Sequence, residues 1–402
     1  MVSPETATAL DARFVQDAHA VAEQLRREGP VRPVILPTGL PAWLVTGYDD
    51  ARALLTDSRL SSAGVYDRLE KLREAADGKP SSFSSDLARH LLNTDPPDHT
   101  RLRKLVNKAF TPRTIARLRP RIVEIADELL DTLPLGEPVD LIAAYAYPLP
   151  MIVICELLGI PATDRSRFGE WSNVLVSSAP AEEIGAASAA MGGYLAGLVE
   201  QKRAEPTEDL LSALVHVSED GDRLSLPELI AMTFILLIGG YETSVNLIGS
   251  GLSAVLHHPD QLAELRAEPA LLPSAVEEFL RFETPNNTAS PRYTTEEVEV
   301  GGVRIPAGAF VLISLLGANR DGKRFEDPDR LDVRRPATGH LGFGHGIHFC
   351  VGAPLGRLEG EIGIGRLLER FEHLELAAEP GTLRWRASTA IHGLETLPVR
   401  LG

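Results

Sequence analysis

The sequence predicts a mainly α protein carrying a few small β-sheets. Three observations point there. The stretch "ELIAMTFILLIGGYETSVNLIGSGLSAVLHH" is apolar over most of its length, opens on a Ser225–Glu228 capping-box pattern and is stopped by Pro259. "IARLRPRIVEIADELLDTL" sets apolar residues three and four apart. Strand signals are few and short.

Along the chain, residues 1–90 or so form a β-containing region, with "LPAWLVTGY" its strand candidate. Stretches 60–92 and 175–193 are weak in pattern and rich in Ser, Ala and Gly, and read as loops or mobile helical segments. "DPPDHTRLRKLVNKAFTPR" begins a helix after two prolines and sets His99 and Arg103 four apart, on one face. The central stretch predicts a helix roughly 50 Å long, buried because its middle is apolar on all sides. "SAVEEFLRF" reads as a helix from Ser274, with Glu277 completing a second capping box and Glu278 spaced to pair with Arg281. "EVEVGGVRIPAGAFVLISLL" carries alternating valines around Gly301–Gly302, a hairpin signal. Leu355, Leu358, Ile362, Leu367, Leu368 and Phe371 make a last helical stripe.

The bulk numbers exclude some classes. A net charge of -16 over 402 residues disfavours wholesale nucleic-acid binding. The N-terminus is polar and acidic, without a signal-peptide pattern. The longest uncharged apolar runs, "LIAAYAYPLPMIVIC" and "LIAMTFILLIGGY", are too short to span a bilayer. A soluble, cytoplasmic protein without a membrane partner is expected. Cys155 and Cys350 are too few and too far apart for a disulfide framework. Cys155, in "MIVICELL", reads as a small buried hydrophobe.

Cys350 is different. It sits in "HLGFGHGIHFCVGAPLG", just before the last helical stripe. One reading is an inert buried thiol. A second is zinc on His345, His348 and Cys350, which lacks an evident fourth ligand. A third is a thiolate near a helix N-terminus, with free N–H groups and glycines that let backbone approach a flat ligand, holding a haem iron from one side. Elsewhere, "IGGYETSVN" places two glycines in a helix interior, where each costs about 1 kcal/mol. Close packing or room for a ligand would explain them. Glu242 is an acid within an apolar stretch, and the Thr243 hydroxyl can reach the carbonyl of Gly239.

"FGHGIHFCVG" resembles the haem signature of the cytochrome P450 monooxygenases, F-x-x-G-x-x-x-C-x-G, at Phe343, Gly346, Cys350 and Gly352. "GGYETS" resembles the family's oxygen-activation motif, with Gly239 where alanine is commoner. Glu278 and Arg281 match its E-x-x-R motif, about seventy residues before Cys350, with Arg335 in "FEDPDRLDVRRP" as the third member. The resemblance implies the cytochrome P450 fold: a single helix-rich haem domain over 1–402, its helix-rich core about 90–402. It implies haem b (iron protoporphyrin IX), with Cys350 as axial iron ligand. Glu242 and Thr243 would deliver protons to bound O2. His99, Arg103, Arg292 and His348 would contact the haem propionates. Glu278, Arg281 and Arg335 would be structural.

The sequence carries no dinucleotide fingerprint and no cysteine cluster. NAD(P)H would therefore act only indirectly, through a ferredoxin reductase and a ferredoxin. Residues 99–123 hold eight Lys or Arg and no Asp or Glu. Arg101, Lys104, Lys108 and Arg113 are expected to help dock an acidic ferredoxin. Matching family positions put the substrate pocket at Ile238, Gly239, Asn287, Thr288, Ala289 and Ile391. The chain resembles soluble bacterial enzymes that tailor macrolides and other polyketides, which implies hydroxylation or epoxidation of such a scaffold. A terpenoid, steroid or aromatic substrate is the alternative within the class. A haem-thiolate sensor without turnover is the alternative outside it, disfavoured by the Glu242–Thr243 pair.

Overall fold

The computed structural model describes residues 7–77, 85–175, 180–217, 221–379 and 381–402. Helices dominate, and the chain groups into two compact units. The first comprises Met1–Leu60, Leu118–Pro150 and Glu242–Gly402; the second comprises Ser61–Arg117 and Met151–Tyr241.

In the first unit a mixed sheet runs in the order Thr8–Ala9, Val31–Ile35, Pro41–Val45, Phe310–Ile313, Arg292–Thr294, ending on the short strand at Leu60. Val31 pairs with Val45 in antiparallel register, and Trp43 runs parallel to Val311. Its apolar side chains bury Val31, Val45, Leu54, Val311 and Ile313 in one core. The "EVEVGG" stretch forms the expected hairpin, Val298–Val300 against Val303–Ile305. Gly301 and Gly302 adopt φ of 54° and 81°, a turn open to few other residues. A third sheet joins Leu374–Leu376, Pro398–Leu401 and Pro138–Asp140.

The central helix spans Leu226–His257. Its start is the predicted box: Ser225 N–H donates to Glu228 at 2.8 Å, and Glu228 N–H returns a bond to Ser225 Oγ at 3.4 Å. By length and composition the whole helix could cross a membrane, although its uncharged runs are short; most of it is buried within the protein, as in a core helix. In the first unit it packs on the helix Ala353–Arg370 through glycines. A Cβ at Gly360 would lie 2.9 Å from Leu247, and one at Gly363 would lie 2.8 Å from Ile248. Those glycines let two backbones approach closely.

Two expectations change. The 115–133 pattern is two helices, Pro112–Ala116 and Arg119–Leu130, because Pro120 opens a new first turn. The "SAVEEFLRF" helix starts at Leu272, fed by a 3₁₀ turn at Pro269–Leu271, and Glu277 does not cap it. Its carboxylate is drawn instead to Arg357 at 2.5 Å and His340 at 3.1 Å. The poorly patterned 175–193 stretch, expected as loop or mobile helical segment, takes the helical form over Ala181–Ala204. Met191, Leu195, Leu198 and Val199 bury one face of it, while small residues dilute the apolar signal. Residues 78–84 and 176–179, parts of the two expected loops, lie outside the described residues.

Candidate active site

The Cys350 loop is built by its glycines. Gly344 and Gly346 take φ of 71° and 74°. A Cβ at Gly346 would press on the Leu55 carbonyl at 3.0 Å, so only glycine fits without displacement. Cys350 N–H donates to the Phe343 carbonyl at 2.9 Å, closing the loop. The Gly346–His348 turn and the helix from Ala353 flank the sulfur. Cys350 is half-buried, and the backbone of Gly352 runs close enough that a Cβ there would sit 3.7 Å from Sγ. The Arg357 guanidinium lies 4.6 Å over the Phe343 ring and within electrostatic range of Cys350. Burial alone would raise the Glu277 carboxyl, but His340 and Arg357 outweigh it and hold it down to about 2. This loop therefore sits against a fixed Arg357–Glu277 ion pair.

Arg292, on the sheet, reaches the Leu55 carbonyl that also borders Gly346. It is buried, and its Nη1 donates to the carbonyls of Leu55 at 3.0 Å and Leu54 at 3.3 Å. Leu55 is thus shared by Arg292 and Gly346. His348 is half-buried in the turn before Cys350. In the second unit, His99 is buried and Arg103 half-buried, one turn apart on the helix Asp98–Ala109.

In the middle of the central helix, Ile235, Ile238, Gly240 and Thr243 are part-exposed and Gly239 is exposed, amid buried neighbours. A Cβ on Gly239 would meet nothing within 4 Å, whereas one on Gly240 would strike Ile154 at 2.6 Å. Of the two glycines, Gly240 serves packing and Gly239 borders open space. Glu242 is buried and ion-paired to Arg386.

Asn287, Thr288, Ala289 and Ile391 come together in the first unit. Asn286 bridges to Ile391, and Asn287 N–H donates to the Ala390 carbonyl at 2.8 Å. Ala289 N–H is held by Ile313 at 2.9 Å. Among the described residues Asn287 Oδ1 is buried without a partner, an acceptor left over for something else.

Glu278 and Arg281 are fully buried, not a surface pair. Arg281 Nε and Nη2 donate to the two Glu278 oxygens at 2.7 and 2.8 Å. Arg335 Nε adds a third contact at 3.2 Å, and Arg281 also binds the carbonyls of Pro328 and Asn319.

Among the described residues, His345, His348 and Cys350 form no metal-spaced group. Such spacing does occur at His19, Glu283 and His392, but Arg320 Nη2 already lies 3.4 Å from Glu283 and 3.5 Å from His19, so a cation fills that role. Cys155 is fully buried beside Met151, and burial pushes its thiol up to about 12, an inert state.

Three site neighbours escaped the sequence reading: Arg357, Arg386 and Glu359. Arg357 falls one turn into the helix after Cys350, a position that could have been flagged. Arg386 lies 144 residues from its partner, and only Glu242's need for a counter-charge hinted at it. Glu359 is fully buried on the Ala353–Arg370 helix, and burial pushes its carboxyl up to about 8.

A half-exposed sulfur on a rigid glycine-built loop, in a chain whose central helix carries a buried acid next to an alcohol, suits a haem-thiolate oxygenase. The residues fit that group: one half-buried thiol next to a guanidinium, on a loop whose backbone is kept bare by glycine. The chain belongs to the cytochrome P450 family, whose model matches residues 182–385. It is 50% identical to a vitamin D(3) 25-hydroxylase of Pseudonocardia autotrophica, covering 97% of this chain and 95% of that one. It is 46% identical to 6-deoxyerythronolide B hydroxylase of Saccharopolyspora erythraea, covering 96% and 97%. The structure of the tirandamycin C-bound monooxygenase TamI superposes with a TM-score of 0.91 at 50% identity, over 98% of this chain and all of that one. The protein is a monooxygenase of a family that uses haem iron and external electron donors.

Proposed function

We propose that this cytochrome P450 hydroxylates or epoxidises a bulky, partly oxygenated secondary metabolite of the macrolide or polyketide class. The carrying observation is the stripe Ile235–Ile238–Gly239–Thr243, partly open in the middle of a mostly buried helix. It ends at the acid–alcohol pair. Asn287 Oδ1, buried and unpartnered, supports a substrate that offers a hydroxyl to it. Relatives that oxidise macrolides and polyketides support the class.

Haem b, held through Cys350, supplies the iron at which O2 is reduced and one atom passed to substrate. Arg292, His348, His99 and Arg103 bind its propionates; for the last two the support is the H-x-x-x-R pattern. Gly346 and Gly352 keep the loop clear on the sulfur side. Thr243 and Glu242 hold and pass protons, and Gly239, Asn287, Ala289 and Ile391 orient substrate. Electrons come from NAD(P)H through a ferredoxin reductase and a ferredoxin in the cytoplasm. Lys104, Lys108 and Arg113 are exposed and suit an acidic partner. Arg101 is withdrawn from that role by its ion pairs to Glu228 and, at 3.4 Å, Asp222.

A steroid-like substrate is the second reading, favoured by the 50% identity to a vitamin D(3) hydroxylase. Titrating holoenzyme with 6-deoxyerythronolide B and with vitamin D3, each followed by the haem-band shift and product analysis, separates them. The proposal expects the larger shift and oxidised product with the macrolactone. Turnover of vitamin D3 alone would replace it. Thr243→Ala should lower product formed per NAD(P)H consumed; unchanged coupling would remove Thr243 from proton delivery.

A further inference from the structure

Glu242 is nearly sealed from solvent, its side chain only 3% exposed, while its partner Arg386 is 28% exposed. Arg386 belongs to a braced turn. Its N–H donates to Gly393 at 2.9 Å, and Trp385 bridges to Leu394 and stacks on His392 at 3.8 Å. His392 is fixed in turn by Glu283 at 2.8 Å. On the inner side the turn rests on the central helix at two points one turn apart. Arg386 reaches Glu242, and Gly393 packs so tightly on Asn246 that a Cβ there would lie 1.9 Å from Oδ1. The same turn carries Ile391. The Arg386 side chain therefore projects from a rigid mount onto the acid, and it joins that acid to the surface.

We propose that Arg386 is the positioning residue of Glu242. Its guanidinium neutralises the buried carboxylate and fixes its rotamer. It also keeps the carboxylate beside a partly exposed charged group, where protons have a way in from solvent. Arg386 does not itself carry the proton, because a guanidinium stays charged at any working pH. This rests on the reading above that Glu242 delivers protons.

The test uses holoenzyme with a surrogate ferredoxin, ferredoxin reductase and NADPH, without added organic substrate. Two quantities are read: hydrogen peroxide released per NADPH, and the solvent deuterium isotope effect on NADPH oxidation. Arg386→Gln is expected to raise the peroxide yield about twofold or more and to enlarge the isotope effect. Arg386→Lys, which keeps the charge, should return both toward wild type. Ser388→Ala loosens the same turn, whose Ile391 N–H it accepts at 3.0 Å, and should change neither. Because Arg386 acts through Glu242, adding Arg386→Gln to Glu242→Gln should change nothing further. If Arg386→Gln alone retains no haem, the double variant leaves no buried charge unpaired and carries the comparison with Glu242→Gln. Any difference between those two overturns the proposal, as does a Ser388→Ala that mimics Arg386→Gln. A wild-type Arg386→Gln beside an altered Glu242→Gln sinks the proposal alone. An unaltered Glu242→Gln sinks the proton-delivery reading and the proposal with it.

Discussion

Glu359 offers a stability test with a worked magnitude. It is fully buried, and a hydrogen bond with the Ser244 hydroxyl only partly offsets the burial that raises its carboxyl from 4.5 to about 8. A raised carboxyl makes the folded state hold a proton that the unfolded chain releases. The penalty is absent below the unfolded value, grows as pH rises through 4.5, and levels off above about 8. At 1.36 kcal/mol per unit, it is roughly 1 kcal/mol at pH 5 and roughly 3 kcal/mol at pH 7. Glu359→Gln has nearly the same shape and no charge to suppress. Its stability relative to wild type should therefore improve by roughly 2 to 3 kcal/mol between pH 5 and pH 7. Urea unfolding of both holoenzymes at the two pH values measures this, each compared through its midpoint and slope. A gap that does not change with pH would refute the reasoning, because it would mean Glu359 ionises in the fold as easily as outside it.

Other expectations follow from the same contacts. Gly240→Ala must displace Ile154 and should cost about 1–3 kcal/mol, whereas Gly239→Ala meets nothing, should stabilise the helix by up to about 1 kcal/mol and should alter which ligands shift the haem band; thermal melts and ligand titrations read both. Glu278→Gln strands Arg281 without its carboxylate in a fully buried place and should cost about 3–5 kcal/mol, seen as loss of soluble haem protein, with Arg335→Ala milder because Arg335 is the more exposed member. Glu277, held at about 2, contributes stability that is present above pH 4.5 and lost as pH falls toward 2. Arg357→Met should flatten that acid limb, and a limb of unchanged steepness would argue against the pairing.

Much of this was legible in the sequence where the signal is local. The Ser225 box, the Gly301–Gly302 hairpin and the Cys350 loop each depend on residues a few positions apart, and each formed as the pattern required. The Glu278–Arg281 spacing was visible too, but its burial was not, because that depends on carbonyls from Asn319 and Pro328. Ser274 and Glu277 show a local pattern overridden: Arg357, 80 residues away, offers the carboxylate a stronger partner than a backbone N–H. The Ala181–Ala204 helix was hard to see because small residues (Ala, Gly, Ser) fill much of its sequence and dilute the signal of its buried Met191, Leu195, Leu198 and Val199. Arg386 and Glu359 were invisible for a similar reason. Nothing beside either residue in sequence shows which surface it will meet.

The most direct test addresses the sulfur. Purified protein supplied with haem, reduced with dithionite and exposed to carbon monoxide, should give the spectrum of a thiolate-ligated ferrous carbonyl, and Cys350→Ser should lose it while Cys155→Ala keeps it. A histidine-type spectrum, or a thiolate signal that survives Cys350→Ser, would contradict the assignment of Cys350.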